Sequence, residues 1–115
     1  GARHLTGKVQ LPPGATTVAG GDTWTIVATV VDDQVRWSLD VDGSATAGEP
    51  MPLADGPVDV TIVADPLTAE LSVTTDGTLA LFTFAVPPGP MLPTDALVLD
   101  GDRGESLCRQ LEARR

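Results

Sequence analysis

Apolar and polar residues alternate along two stretches of this chain, and the two stretches match each other. Thr23 to Gly43 reads TWTIVATVVDDQVRWSLDVDG, and Pro57 to Gly77 reads PVDVTIVADPLTAELSVTTDG; they align without a gap when Gly43 is set on Gly77. Trp24, Ile26, Ala28, Trp37, Leu39 and Val41 then fall on Val58, Val60, Ile62, Leu71, Val73 and Thr75. Period-two alternation buries one face of a strand and leaves the other in water. A short polar turn inside each stretch, and Asp-Gly at its end, mark consecutive antiparallel strands. The first hairpin is expected over 23–31 and 35–42, turning at Asp32–Asp33–Gln34. The second is expected over 58–64 and 69–75, turning at Asp65–Pro66.

Shorter patterns extend this reading. Leu5 to Leu11 alternates well enough for a first strand, ended by Pro12–Pro13–Gly14, and Ala15 to Ala19 suits a short edge strand. Thr78 to Val86 (TLALFTFAV) is apolar on both faces, which predicts a strand covered on both sides. Ala96 to Leu99 reads as the last strand. Residues 43–57 read as a long loop of Gly, Pro and small residues, and residues 87–95 as a stiff proline-rich segment. Six to eight short strands with frequent turns predict an all-β fold, an antiparallel two-sheet β-sandwich of jelly-roll or immunoglobulin-like type. Asp102 and Glu105 have capping-box spacing, and Leu107, Cys108 and Leu111 form a narrow apolar stripe. A short C-terminal helix is therefore expected over 104–113, giving a sandwich domain at 1–103 and a helical tail or linker at 104–115.

At 115 residues the chain is one domain, long enough to bury a core without staples. Charge is unevenly placed: from Gln10 to Asp102 fourteen acidic residues face one basic residue, Arg36, so this stretch carries −13. The tail from 103 holds four Arg against two Glu, and the whole chain carries −9. An acidic body repels phosphate backbones, which argues against nucleic acid as a partner. Cys108 is the single cysteine, so no intrachain disulfide forms. No stretch approaches the roughly 20 apolar residues of a membrane-spanning helix, so no membrane insertion is expected. Gly1–Ala2 without an initiator Met suggests an excised piece of a longer protein.

Candidate chemistry is thin. His4 is the only histidine and lies near a terminus with no evident partner. Ser38, Ser44, Ser72 and Ser106 lack the Gly-x-Ser-x-Gly setting of a nucleophile elbow, and no triad forms without recruiting His4. The aspartates sit at turns or solvated strand faces, where both members of a pair stay ionised and no general acid is created. Not an enzyme is the expectation. Asp40 and Asp42 are the candidate metal ligands, since Asp40-Val-Asp42-Gly43 opens like a calcium loop, although no bidentate Glu follows at the required place. Turn stabilisation is the competing role for such aspartates. The loops 43–57, which hold Glu49, and 87–95 are the first candidate binding region, and Arg36, Asp40 and Asp42 on the solvated hairpin face are the second candidate ligand or partner surface.

Asp22-Thr-Trp24-Thr-Ile-Val-Ala-Thr-Val followed by Val35-Arg-Trp37-Ser-Leu39-Asp-Val41-Asp-Gly43 resembles the central hairpin of laminin-G-like and concanavalin-like β-sandwiches. The likeness spans about residues 22–77, and the second copy lacks the Trp. The resemblance implies a module that binds a glycan or a protein, in some relatives with Ca2+, and serves as an accessory domain of a larger extracellular or cell-envelope protein. The chain departs from it in being short and in having no Tyr; both Trp are in phase with the apolar stripe, which predicts core positions rather than a sugar platform. The expectation is a non-catalytic binding module. A structural or assembly role, mediating self-association or domain packing, is the alternative.

Overall fold

The computed structural model describes residues 2–100. Its strands, in chain order, are β1 (Arg3–Val9), β2 (Gly14–Gly20), β3 (Trp24–Val31), β4 (Gln34–Val41), β5 (Ser44–Ala47), β6 (Met51–Pro52), β7 (Val58–Asp65), β8 (Glu70–Thr75), β9 (Thr78–Thr83), β10 (Leu92–Pro93) and β11 (Leu97–Leu99). They form two antiparallel sheets packed together as a sandwich. The first sheet runs β11-β1-β7-β8-β9; the second runs β10-β2-β3-β4-β5, with β6 also on β4. The expected helix over 104–113, with Cys108, lies outside the described residues.

The alternation seen in the sequence builds the core directly. Trp24, Ile26, Ala28 and Val30 on β3, and Val35, Trp37 and Leu39 on β4, are all buried. From the first sheet, Val58, Val60, Ile62 and Ala64 on β7, with Leu71 and Val73 on β8, meet them in one continuous cluster. Each fully buried Val, Leu or Ile contributes about 1.5–3 kcal/mol of transfer free energy. Trp24 adds an edge-to-face contact with Phe84, ring centroids 5.6 Å apart. Both Trp side chains are interior.

The two sheets correspond strand for strand. Each is a late short strand, then an N-terminal strand, then a hairpin, then a strand launched by Asp-Gly: β11-β1-β7-β8-β9 against β10-β2-β3-β4-β5. The matched stretches are thus the central hairpin of each sheet. Their inward positions agree, but their cross-strand partners do not. Ile26 faces Leu39, whereas the aligned Val60 faces Thr75, two residues beyond the aligned Val73. Turn length is the cause. Asp32 and Asp33, both at positive φ, close β3–β4 in two residues, whereas residues 66–69 separate β7 from β8. A slip of two preserves which face is buried; a slip of one would not.

Three expectations change. Residues 43–57 are not a plain loop: Asp42-Gly43 forms a turn with φ of 50° and 85°, and β5 and β6 then run back along the open side of β4. Ala15 to Ala19 belongs to β2, which carries β10 on its outer side and so is not the sheet edge. The Thr78–Val86 stretch is not covered on both sides. Its strand, β9, ends at Thr83 and lies at the edge of the first sheet; Ala80 and Phe82 point into the core while Leu79 and Leu81 stay 59% and 54% exposed.

Candidate binding surface

Burying one stripe of the β3–β4 hairpin leaves its other stripe facing water. Outward cross-strand pairs are Thr25 with Asp40, Val27 with Ser38, Thr29 with Arg36, and Val31 with Gln34. Ser38 spends its hydroxyl on the strand ladder, donating to the carbonyl of Val27 at 3.4 Å. Between Ser38 opposite Ala47 and Val35 opposite Met51, two residues of β4 face three residues, Gly48 to Pro50. That extra residue is a bulge, and it bends the strip formed by β5 and β6. Gly48 donates its N–H to the carbonyl of Trp37 at 2.8 Å, which anchors the bulge.

The bend encloses a hollow of about 390 Å³ on the outer face. Val31, Ala45, Ala47 and Pro50 supply an apolar floor, and Thr29, Asp32, Gln34, Arg36 and Ser38 ring it with polar groups. Arg36 is exposed and forms no ion pair among the described residues. The lining holds no His, Cys or Lys. It offers shape, small apolar contacts, hydrogen-bonding groups, the Arg36 guanidinium and the Asp32 carboxylate.

The four expected surface residues are divided by the structure. Arg36 lines the hollow, and Glu49 is exposed in the adjoining bulge. Asp40 and Asp42 open instead onto a neighbouring depression of about 400 Å³, shared with Asp22, Thr23 and Thr25. Asp40 is half-buried on β4, while Asp42 occupies the left-handed first position of its turn. Calcium takes six to eight oxygens, roughly, in most protein sites. Among the described residues no three His, Cys, Asp or Glu side chains come together to hold an ion. Turn geometry accounts for Asp42 without one.

His4 is exposed on β1, opposite Val63 in the other sheet and away from the hollow. On that sheet Lys8 pairs with Asp59 at 2.6 Å, both side chains well exposed. The hydrogen bond to Asp59, then its charge, raises the Lys8 ammonium above its ordinary 10.5, with smaller help from Asp100 and Asp76. The small stabilisation of such an exposed pair is fully present below that ordinary value and is lost as pH rises through the raised one.

Ala45, Ala47 and Pro50 lie in the stretch 43–57 expected to carry binding contacts, as a strand and a bulge rather than a loop. Val31 and Gln34 were not among the expected site residues, and residues 87–95 line no part of the hollow. Asp42-Gly43 was the available signal: Asp-Gly before small, strand-compatible residues predicts a returning strand, and that strand carries Ala45 and Ala47.

No protein-family model, curated protein or solved structure matches this chain.

Proposed function

We propose that the chain is a non-catalytic binding module that takes its ligand on the outer face of β3, β4 and β5. The observation that carries this reading is the open hollow beside Arg36, apolar at its floor and hydrogen-bonding at its rim. A rigid sheet presents those groups, so little order has to be gained on binding. The ligand is a segment of a protein or a glycan. Both indoles are buried, which leaves no aromatic platform for a sugar ring and favours the protein ligand. The likeness to laminin-G-like hairpins supports an accessory role in a larger extracellular or cell-envelope protein. In the same reading the sandwich is of jelly-roll type, its chain crossing between sheets before β2, β7, β10 and β11.

The test is a screen of glycans and extended peptides, with and without Ca2+, followed by amide chemical-shift mapping. Shifts are expected at Val31, Arg36, Ser38 and Ala45. Arg36→Ala is expected to weaken binding about tenfold, equivalent to ~1.4 kcal/mol, with the melting temperature unchanged. A ligand whose shifts cluster elsewhere, with Arg36→Ala indifferent, overturns the assignment. Ca2+ dependence together with loss on Asp40→Asn or Asp42→Asn would restore those residues as ligands.

A further inference from the structure

Among the described residues the two sheets end in four edges, and three of them are blunted. β11 is three residues long and runs into Asp100; β10 is two residues long and contains Pro93. The strip of β5 and β6 is broken by the Gly48–Pro50 bulge and carries Pro52. Short length, proline, charge and bulges are the devices that keep strand edges from pairing. β9 has none of them. It is six residues long, TLALFT, with unbroken register from Thr75 opposite Thr78 to Glu70 opposite Thr83.

Its hydrogen-bonding phase is set at one end. Phe84 donates its N–H to the carbonyl of Ala69 at 2.9 Å, so Phe84 and Ala69 are a hydrogen-bonded pair. In an antiparallel ladder such pairs alternate with open ones. Thr78, Ala80 and Phe82 therefore turn their main-chain groups toward β8. Leu79, Leu81 and Thr83 turn theirs outward, to the free edge. Beside those groups stand the exposed side chains of Leu79 and Leu81.

We propose that β9 pairs with β9 of a second copy, antiparallel about a two-fold axis at Leu81. Only pairings that oppose residues of like parity keep the core faces continuous. Placing Leu81 against Leu81 satisfies that rule, sets Leu79 against Thr83 in both directions, and uses every outward donor and acceptor of the strand. Charge says why the occupant is another copy. Residues 77–94 contain no Asp, Glu, Lys, Arg or His, within a body that is otherwise acidic. Two such bodies repel each other on most approaches, but not along this strip. The antiparallel arrangement also lays each Asp76-Gly77 turn beside the uncharged residues after Thr83 rather than beside its own copy. The interface is isologous and closes at two subunits. Pairing through a single six-residue strand makes a small contact, and a weak, transient association with a dissociation constant on the order of 10–100 μM is expected.

This inference goes beyond the binding reading and uses other residues, so either can fail alone. Sedimentation velocity of the full chain from about 5 to about 500 μM brackets the expected constant. A concentration-dependent passage from monomer to dimer is expected. Leu81→Lys should abolish it with the circular dichroism spectrum unchanged, while Val98→Lys, at a still more exposed apolar position on β11, should leave it intact. Without any variant, amide hydrogen exchange at Leu79, Leu81 and Thr83 should slow as concentration rises, while that at Ala80 and Phe82 should not change. A monomer throughout the range overturns the proposal, whatever else covers β9. So does a dimer indifferent to Leu81→Lys, or exchange at the three outward amides that ignores concentration.

Discussion

Single residues show how closely the strands approach. Gly7 lies on β1 opposite Leu99, and a β-carbon there would run into the carbonyl of Val98 and come within 2.9 Å of the Leu99 Cα. Those obstacles are backbone, so they yield only if β11 moves. Gly7→Ala is expected to push β11 off β1, break the bond from the Asp100 N–H to the Thr6 carbonyl, and cost about 1–3 kcal/mol. Urea unfolding measures the loss, and a midpoint equal to the parent's would mean that β11 contributes nothing to stability. Trp37 is the opposite kind of residue, fully buried with an indole N–H that has no partner among the described residues. Its burial outweighs that unmet donor. No sequence pattern distinguishes these positions: Gly7 reads as one more small residue in an alternating strand.

At the scale of elements, turn chemistry decides how hairpins pair. Three turns put Asp at a left-handed first position: Asp32, Asp42 and Asp76. Two of them follow it with Gly, whereas β3–β4 uses Asp33 at φ 61°. A side chain at that angle is strained where glycine is not. Asp33→Gly is expected to stabilise the chain by about 0.5 kcal/mol, read as a higher urea midpoint with an unchanged slope. An unchanged or lower midpoint would mean that Asp33 gains more from its own side chain than glycine gains from relief. The strands of both hairpins were legible because alternation is a local property. Their register was not, because it depends on how many residues each turn spends. β9 was misread for a related reason. Apolar residues on both faces say that a strand avoids water, without saying whether a second layer, another chain or nothing covers it.

For the whole molecule, charge and shape act together. The chain carries −9 at neutral pH and has an isoelectric point near 4.2. Added salt screens the repulsion between two such copies while leaving the uncharged β9 strip unaltered. Dimerisation is therefore expected to tighten as salt is raised from about 20 to about 500 mM. Sedimentation at the two salt concentrations checks this; weaker association at high salt would place attractive charge pairs inside the contact. Arg36 and the hollow lie on the other sheet, so ligand binding should proceed in monomer and dimer alike. The sequence by itself determined the all-β class, the buried and open face of each long strand, and the polar stripe that carries Arg36. Period-two alternation and turn residues act within a few positions of one another, so no distant partner is needed to read them. Only the tertiary structure decided which strands became neighbours, as β1 reaches β7 across 51 residues at the Lys8–Asp59 pair. It alone also decided that β5 returns with a bulge to enclose the hollow and that β9 is left at an edge. Those outcomes arise from pairing between segments far apart in the chain, and the energy of such pairing is written in no single stretch of it.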